Sequence, residues 1–247
     1  MSGHNKWSTI KRKKGAIDAK RSKIFSRIIK EISIAVREGG SDPDGNPRLR
    51  LALNNARGAN MPKDNIQRAL SKADKDNTAL SEVTYEGYAP HGIAVFVECL
   101  TDNSQRTVSN IRMLFNKRGG SLGTNGSVAF MFDRKGVISI PKGNINLDDI
   151  ELDLIDGGAE DIDVQDDIIV ITTALEDFGG MQKKLETMGI EPENASLQRI
   201  PQETKQLETA AAVKVLKLIE EFEDDDDVQN VYHNLEVTDE VMEAMEQ

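Results

Sequence analysis

The 247-residue sequence is poor in the residues that carry redox and metal chemistry. It has one cysteine and three histidines, and aromatic residues make up 4% of the chain. The single Cys99 cannot form an internal disulfide, and its apolar surroundings favour a core position over a nucleophile. His4, His91 and His233 lie in three separate segments without ligand spacing. We therefore expect no disulfide framework, no metal site and no cofactor.

Long hydrophobic runs are also absent from the sequence. No apolar run approaches the roughly 18 residues that a membrane-spanning helix needs. Because no apolar stretch follows the basic N-terminus, we expect neither a signal peptide nor a transit peptide. The N-terminus also lacks a lipidation signal, since Ser2 and not glycine follows Met1. We expect a cytoplasmic monomer without a membrane partner.

Positive charge is scarce in the chain as a whole but concentrated at its start. The formal net charge is −11. Residues 1–30 nevertheless hold ten Lys and Arg against one Asp, and residues 1–75 carry a net charge of +11. The other 172 residues carry −22. This asymmetry indicates that the two parts of the chain interact with partners of different charge.

The basic N-terminal block is the first candidate binding site. Its cations would neutralise phosphates and release their counterions, and Trp7 offers a surface on which an unpaired base can stack. A solvated, solubilising helix face and a polybasic membrane anchor are the alternatives. Because the block is nearly free of acidic residues, we favour nucleic-acid contact. The candidate residues are Lys6, Trp7, Lys11, Arg12, Lys13, Lys14, Lys20, Arg21, Lys23 and Arg27.

A second group of cations lies within the acidic part of the chain. It consists of Arg106, Arg112, Lys117 and Arg118, followed by glycines whose backbone amides can approach an anion closely. Locally, the end of a helix followed by a hairpin-like loop is the better interpretation. No Lys-Ser/Thr pair follows the glycines, which excludes a Walker loop.

Catalytic chemistry has little support in the sequence. The acidic run at residues 224–227 lacks the glycine and the ligand alternation of a calcium loop, so a solvated turn is the favoured interpretation. No nucleophile, base or metal-ligand pattern stands out among the remaining residues. We expect a protein that is not an enzyme.

The hydrophobic pattern predicts a helical start. Apolar residues recur at three- and four-residue steps from Phe25 to Val36, and the helix is predicted to end at Gly39-Gly40. Asn46-Pro47 and Pro62 open two further helices. Residues 1–77 are thus a basic helical domain, and the polar residues 76–84 are a linker.

The remaining sequence predicts two α/β domains, one inserted in the other. Residues 134–200 show a complete β-α-β-β-α-β series, which is the ferredoxin-like arrangement. Residues 78–133 and 201–247 would form a discontinuous second unit of that type, with strands at Ile93–Leu100 and Val128–Phe132 in its first half. The fold class is therefore α+β, with three domains.

Several stretches in order resemble the YebC family. They are "GHNKWSTIKRKKGAIDAKRSKIFSRIIKEI", "GGSDPDGNPRLRLAL", "NMPKDNIQRAL", "YEGYAPHGIAV", "DNSQRTVSNIR" and "KRGGSLGTNGSVAFMF". The resemblance is dense from residue 3 to about residue 132 and looser beyond. It implies a three-domain protein with a helical N-terminal domain. The acidic run at residues 224–227 is not characteristic of the family, so no role is transferred to it.

The resemblance leaves DNA and RNA open as targets. The usual family label is a probable transcriptional regulatory, DNA-binding protein, whereas mitochondrial relatives are translational activators and bacterial members are linked to the translating ribosome. A transcription factor usually reads base edges with two symmetry-related elements, and no clear helix-turn-helix recognition helix stands out. An RNA or ribosome factor needs mainly shape and phosphate contacts. We favour ribosome- or RNA-linked translation control, with a DNA-binding transcription factor or a protein-binding scaffold as alternatives.

Overall fold

The computed structural model describes residues 17–73, 80–143, 145–165 and 167–246, with the side chains of residues 17–20 and 246 excepted. The chain divides into two compact units. One contains Thr78–Asp133 and Arg199–Gln247, and the other contains Asp18–Asn77 and Arg134–Gln198. Among the described residues, no helix is long and apolar enough to cross a membrane.

Three helices form the N-terminal part of the second unit. They are α1 (Ile17–Gly39), α2 (Pro47–Gly58) and α3 (Lys63–Ala73). The buried Asn46 caps α2 by accepting the N–H of Leu49 at 3.0 Å, and its amide also donates to the carbonyl of Ala35 at 2.6 Å. One side chain thus satisfies the start of α2 and fixes it against α1. Apolar residues of all three helices form one core, with Ile32 and Leu49 fully buried.

The second unit also contains a four-stranded sheet. Its elements are β4 (Phe132–Pro141), α5 (Leu147–Asp156), β5 (Ala159–Val164), β6 (Ile168–Ala174), α6 (Phe178–Thr187) and β7 (Asn194–Pro201). The strand order β5-β6-β4-β7 is that of a ferredoxin-like sheet. Ile138, Ile171, Leu154 and Met181 are among the buried residues that join the sheet to its helices.

The helices dock on the edge strand of this sheet. The side-chain amide of Asn55 donates to the carbonyl of Ala195, and its oxygen accepts the N–H of Ala195, both at 2.8 Å. Asn55 therefore pairs with β7 as a neighbouring strand would, which closes an otherwise open sheet edge. A Cβ at Gly58 would lie 1.8 Å from the carbonyl oxygen of Glu193, so only glycine allows this approach of α2.

The first unit contains the other sheet. Its elements are β1 (Ser81–Ala89), β2 (Ile93–Thr101), α4 (Ser104–Lys117), β3 (Ser121–Leu122), α7 (Thr209–Asp224), β8 (Val228–His233) and α8 (Asp239–Glu246). The strand order is β3-β1-β2-β8, and each neighbouring pair is antiparallel. Phe115 of α4 and Phe222 of α7 contact each other in the core with ring centroids 4.7 Å apart.

The predicted α+β class is confirmed, but two details of the discontinuous unit differ. The predicted strand at Val128–Phe132 is wrong, because Ala129–Met131 forms a short 3-10 turn and β4 begins only at Phe132. Residues 81–84, predicted as linker, belong to β1, which pairs along its whole length with β2. The unit therefore begins with a β-hairpin. The predicted division of the chain into three domains stays a prediction. Its boundaries are residues 1–77, residues 78–133 with 201–247, and residues 134–200.

Candidate nucleic-acid interface

Most of the predicted basic block lies outside the described residues. This applies to Lys6, Trp7, Lys11, Arg12, Lys13 and Lys14. The backbone of Lys20 lies in α1, but its side chain is not described. The structure therefore positions only the C-terminal end of the block, from Arg21 onward.

The described part of the block lies on α1. Arg21 is exposed, and its guanidinium donates to the carbonyl of Asn60 at 3.2 Å and lies 5.4 Å from the centroid of the Phe25 ring. Lys23 and Arg27 are partly exposed on the same helix. α1 thus holds Arg21 against the turn between α2 and α3.

The second group of predicted cations is engaged in ion pairs within its own unit. Arg106 donates to Asp227 at 2.8 Å and to Asp102 at 2.9 Å. Lys117 and Arg118 both donate to Glu221 of α7, and the hydrogen bond from Arg118 is the main cause that lowers the pKa of this carboxyl below its usual value. A phosphate would have to compete with these carboxylates.

Arg112 differs from its neighbours on α4. Its side chain is exposed, and no carboxylate among the described residues contacts it. Of the second group, Arg112 is therefore the cation that a polyanion can reach without breaking an ion pair.

The glycine-rich loop after α4 already binds an anion, and that anion is a side chain of the same chain. Glu86 of β1 is 4% exposed, and its carboxylate accepts the N–H groups of Gly126 at 2.6 Å and of Val128 and Ala129 at 2.8 Å. Burial opposes ionisation of Glu86, but these backbone donors outweigh it and lower its pKa. The loop amides are consequently not available to a phosphate.

The acidic run at residues 224–227 is not simply a solvated turn, as the sequence suggested. Asp227 is 6% exposed and accepts hydrogen bonds from Thr101 at 3.2 Å, Thr107 at 2.9 Å and Arg106. It ties the end of β2 and the start of α4 to the segment before β8. Cys99 is buried as predicted.

Family models match nearly the whole chain. The N-terminal domain of TACO1/YebC proteins matches residues 5–76, and the second and third domains of TACO1/YebC proteins match residues 80–235. The chain belongs to the TACO1/YebC family. The predicted resemblance to YebC proteins is thereby confirmed.

Relatives of known name support this membership over the full length. A probable transcriptional regulatory protein of Amoebophilus asiaticus is 52% identical over 239 residues, which is 95% of this chain and 98% of the relative. A protein of the same name from Geotalea uraniireducens is 49% identical over 247 residues, 99% of this chain and all of the relative. The crystal structure of a conserved hypothetical protein from Aquifex aeolicus is 41% identical, with a TM-score of 0.82 over 91% of this chain and 94% of that one.

The boundary between the two family models coincides with a change in electrostatics. In this TACO1/YebC protein the N-terminal match ends at residue 76, close to where the net positive charge of residues 1–75 gives way to the acidic remainder. The names of these two relatives indicate a regulatory role. In the described parts of the chain, no group of three or more His, Cys, Asp or Glu side chains is placed to hold a metal ion.

Proposed function

We propose that this protein is a nucleic-acid-binding regulator of gene expression that grips phosphate groups through its N-terminal domain. The observation that carries the proposal is the separation of charge, with +11 in residues 1–75 and −22 in the rest. A polyanion attracts the first part and repels the second, so we expect the contact to be made by the first part. The proposed contacts are Lys6, Lys11, Arg12, Lys13, Lys14, Lys20, Arg21, Lys23 and Arg27, with Trp7 stacking on an unpaired base.

The two α/β domains take a secondary part in this proposal. Arg106, Lys117 and Arg118 would each have to leave a carboxylate to reach a phosphate, whereas Arg112 would not. The acidic helices therefore face solvent or a protein partner. Crosslinks from nucleic acid to these helices would contradict this orientation.

We favour RNA, and specifically control of translation at the ribosome, over a DNA operator. A basic block that contains Trp7 supplies phosphate contact and stacking, which suffice for RNA recognition by shape. Sequence-specific DNA binding needs base-edge contacts, usually from paired recognition elements. The second candidate, a DNA-binding transcription factor, is supported by the names of the relatives from Amoebophilus and Geotalea.

Equilibrium binding to labelled nucleic acids tests the proposal. Fluorescence anisotropy of the full chain with an RNA hairpin and with a DNA duplex of matching sequence should give affinities that fall steeply between about 50 and about 200 mM salt. Tighter binding to RNA is the expected result, and tighter, sequence-dependent binding to DNA would favour the second candidate. Absence of salt-dependent binding to either would contradict the proposal and leave a protein-binding scaffold.

Reversal of the four charges at Lys11, Arg12, Lys13 and Lys14 to Glu gives a second test. Loss of binding to both probes is expected, because this change removes four proposed phosphate contacts and adds repulsion. Unchanged binding would show that the basic block does not contact nucleic acid.

A further inference from the structure

The arginines of the helical domain fall into two classes according to their acceptors. Arg48 lies between two carboxylates, at 2.8 Å from Glu38 and 3.1 Å from Glu31, which compensate its charge. Arg57 instead donates to the amide oxygen of Asn54 at 3.2 Å, and Arg21 to the carbonyl of Asn60 at 3.2 Å. Neutral acceptors fix the direction of a guanidinium group without compensating its charge. Such a group is already ordered for a phosphate before the phosphate arrives.

Three exposed cations surround one turn, and two of them, Arg57 and Arg21, donate to neutral acceptors. The turn, residues 59–62, joins α2 to α3. Arg57 precedes it in the last turn of α2, Lys63 follows it as the first residue of α3, and Arg21 binds its carbonyl at Asn60. All three side chains are exposed. We refer to Arg21, Arg57 and Lys63 as the turn cations.

The turn itself is held firmly. The N–H groups of Ala59, Asn60 and Met61 donate to the carbonyls of Asn55, Arg57 and Ala56 at 2.9, 2.8 and 2.9 Å. Met61 is 5% exposed, so the turn is anchored by an apolar side chain as well. The backbone between Arg57 and Lys63 is therefore fixed.

Two acidic residues lie close to this turn. Asp64 follows Lys63 in the sequence, and Glu193 reaches Gly58 with its backbone carbonyl. Within the described residues, neither carboxylate forms an ion pair with Arg57 or Lys63, in contrast to the pairs that Lys135 forms with Glu160 and Lys184 with Asp153.

We propose that the turn cations form a phosphate-binding site that holds the backbone of a nucleic-acid duplex. The inference rests on the proposed function, since it assumes a nucleic-acid partner. Cations that flank a fixed turn can bind phosphates whose spacing is also fixed, as in a duplex. Trp7, in contrast, can stack on an unpaired base. The site continues outward along α3 through the exposed Gln67 and Arg68.

The test compares two double variants of the full chain with equal formal charge. Arg57→Gln with Lys63→Gln removes two turn cations, and Lys135→Gln with Lys184→Gln removes two cations of the same compact unit that are paired with carboxylates. Binding to an RNA hairpin, a DNA duplex and an unpaired strand is measured against salt. The plot of log K against log salt has a negative slope, and each lost phosphate contact should make it shallower by about 0.7 to 0.9. For the turn variant, which loses two contacts, the slope should become shallower by about 1.4 to 1.8. The control variant should keep the wild-type slope.

The outcomes separate this inference from the proposed function. A reduced slope of the turn variant on duplex probes alone supports the duplex site, and comparison of RNA with DNA tells which duplex it prefers. The duplex site would be overturned if the two variants had equal salt slopes, or if the turn variant lost as much slope on the unpaired strand as on the duplexes. In either case, salt-dependent binding of the wild type would still support the proposed function. A wild-type protein without salt-dependent binding would overturn both. Far-UV circular dichroism verifies that the four substitutions leave the fold intact.

Discussion

Substitution of Glu86 by glutamine tests the internal anion site most sharply. The carboxylate accepts three backbone N–H groups, one on Oε1 and two on Oε2. Glutamine keeps one oxygen, so at least one N–H faces an amide NH2, and the other bonds lose their charge assistance. Hydrogen bonds to charged groups contribute roughly 1.5–3 kcal/mol and neutral ones roughly 0.5–1.5 kcal/mol. We therefore expect Glu86→Gln to lower the free energy of unfolding by about 3 kcal/mol at neutral pH.

The loss should depend on pH with a defined sign. The pKa of Glu86 is lowered in the folded state, so its ionised form contributes stability that is fully present above the ordinary carboxyl pKa of about 4.3. This stability disappears as the pH falls through the lowered folded-state pKa. The difference between wild type and Glu86→Gln should therefore be constant at neutral pH and shrink progressively below about pH 4.3.

Urea unfolding followed by near-UV circular dichroism is the appropriate assay. All three tyrosines, Tyr85, Tyr88 and Tyr232, lie on β1 and β8, so their signal reports on this unit. Glu203→Gln, at an exposed position of the same unit, is the matched control. The reasoning is refuted if Glu86→Gln leaves the urea midpoint and the hydrogen exchange of the 126, 128 and 129 amides at wild-type values.

Three further substitutions probe other contacts. Gly58→Ala should weaken the docking of α2 on β7 and raise amide exchange at Ala195, because the new Cβ would lie 1.8 Å from the carbonyl oxygen of Glu193; unchanged exchange would contradict this. Asp227→Asn should lower the free energy of unfolding by about 1–3 kcal/mol in tyrosine-monitored urea melts, and an unchanged midpoint would mean that its hydrogen bonds contribute nothing net. Asn46→Ala should lower the free energy of unfolding by about 1–2 kcal/mol in far-UV urea melts, and wild-type stability would refute its role as a cap.

Local sequence patterns predicted most of the helices and the inserted sheet. The proline at position 47 after Asn46, the glycine pair at 39–40 and the three- to four-residue apolar spacing are signals that act within one helix. The β-α-β-β-α-β series predicted for residues 134–200 is observed as the elements from β4 to β7. Such elements depend little on distant residues.

The errors occurred where distant residues decide the structure. Val128 and Ala129 have an apolar, strand-like sequence, but their N–H groups bind the carboxylate of Glu86, some forty residues earlier, and so cannot join a sheet. β1 did carry a local signal that was overlooked, since Val83 and Tyr85 alternate with polar residues.

The candidate site shows the same limit. Charge density located the basic block, but no local pattern revealed that Arg106 and Arg118 are paired with carboxylates about 121 and 103 residues away. The acidic run was likewise interpreted without knowledge that Asp227 is buried against Thr107. Pairing across a fold depends on topology, which a single sequence does not display.

Sedimentation of this protein from cell lysate is the measurement that tests the central claim most directly. The lysate is run on sucrose gradients at low and moderate salt, with and without DNase or RNase. Our account predicts co-migration with ribosomal particles that is lost as salt rises, is abolished by RNase and is insensitive to DNase. Migration with chromosomal complexes that DNase abolishes would contradict translation control and favour a DNA operator. Migration as a small protein under all conditions would contradict a nucleic-acid partner altogether.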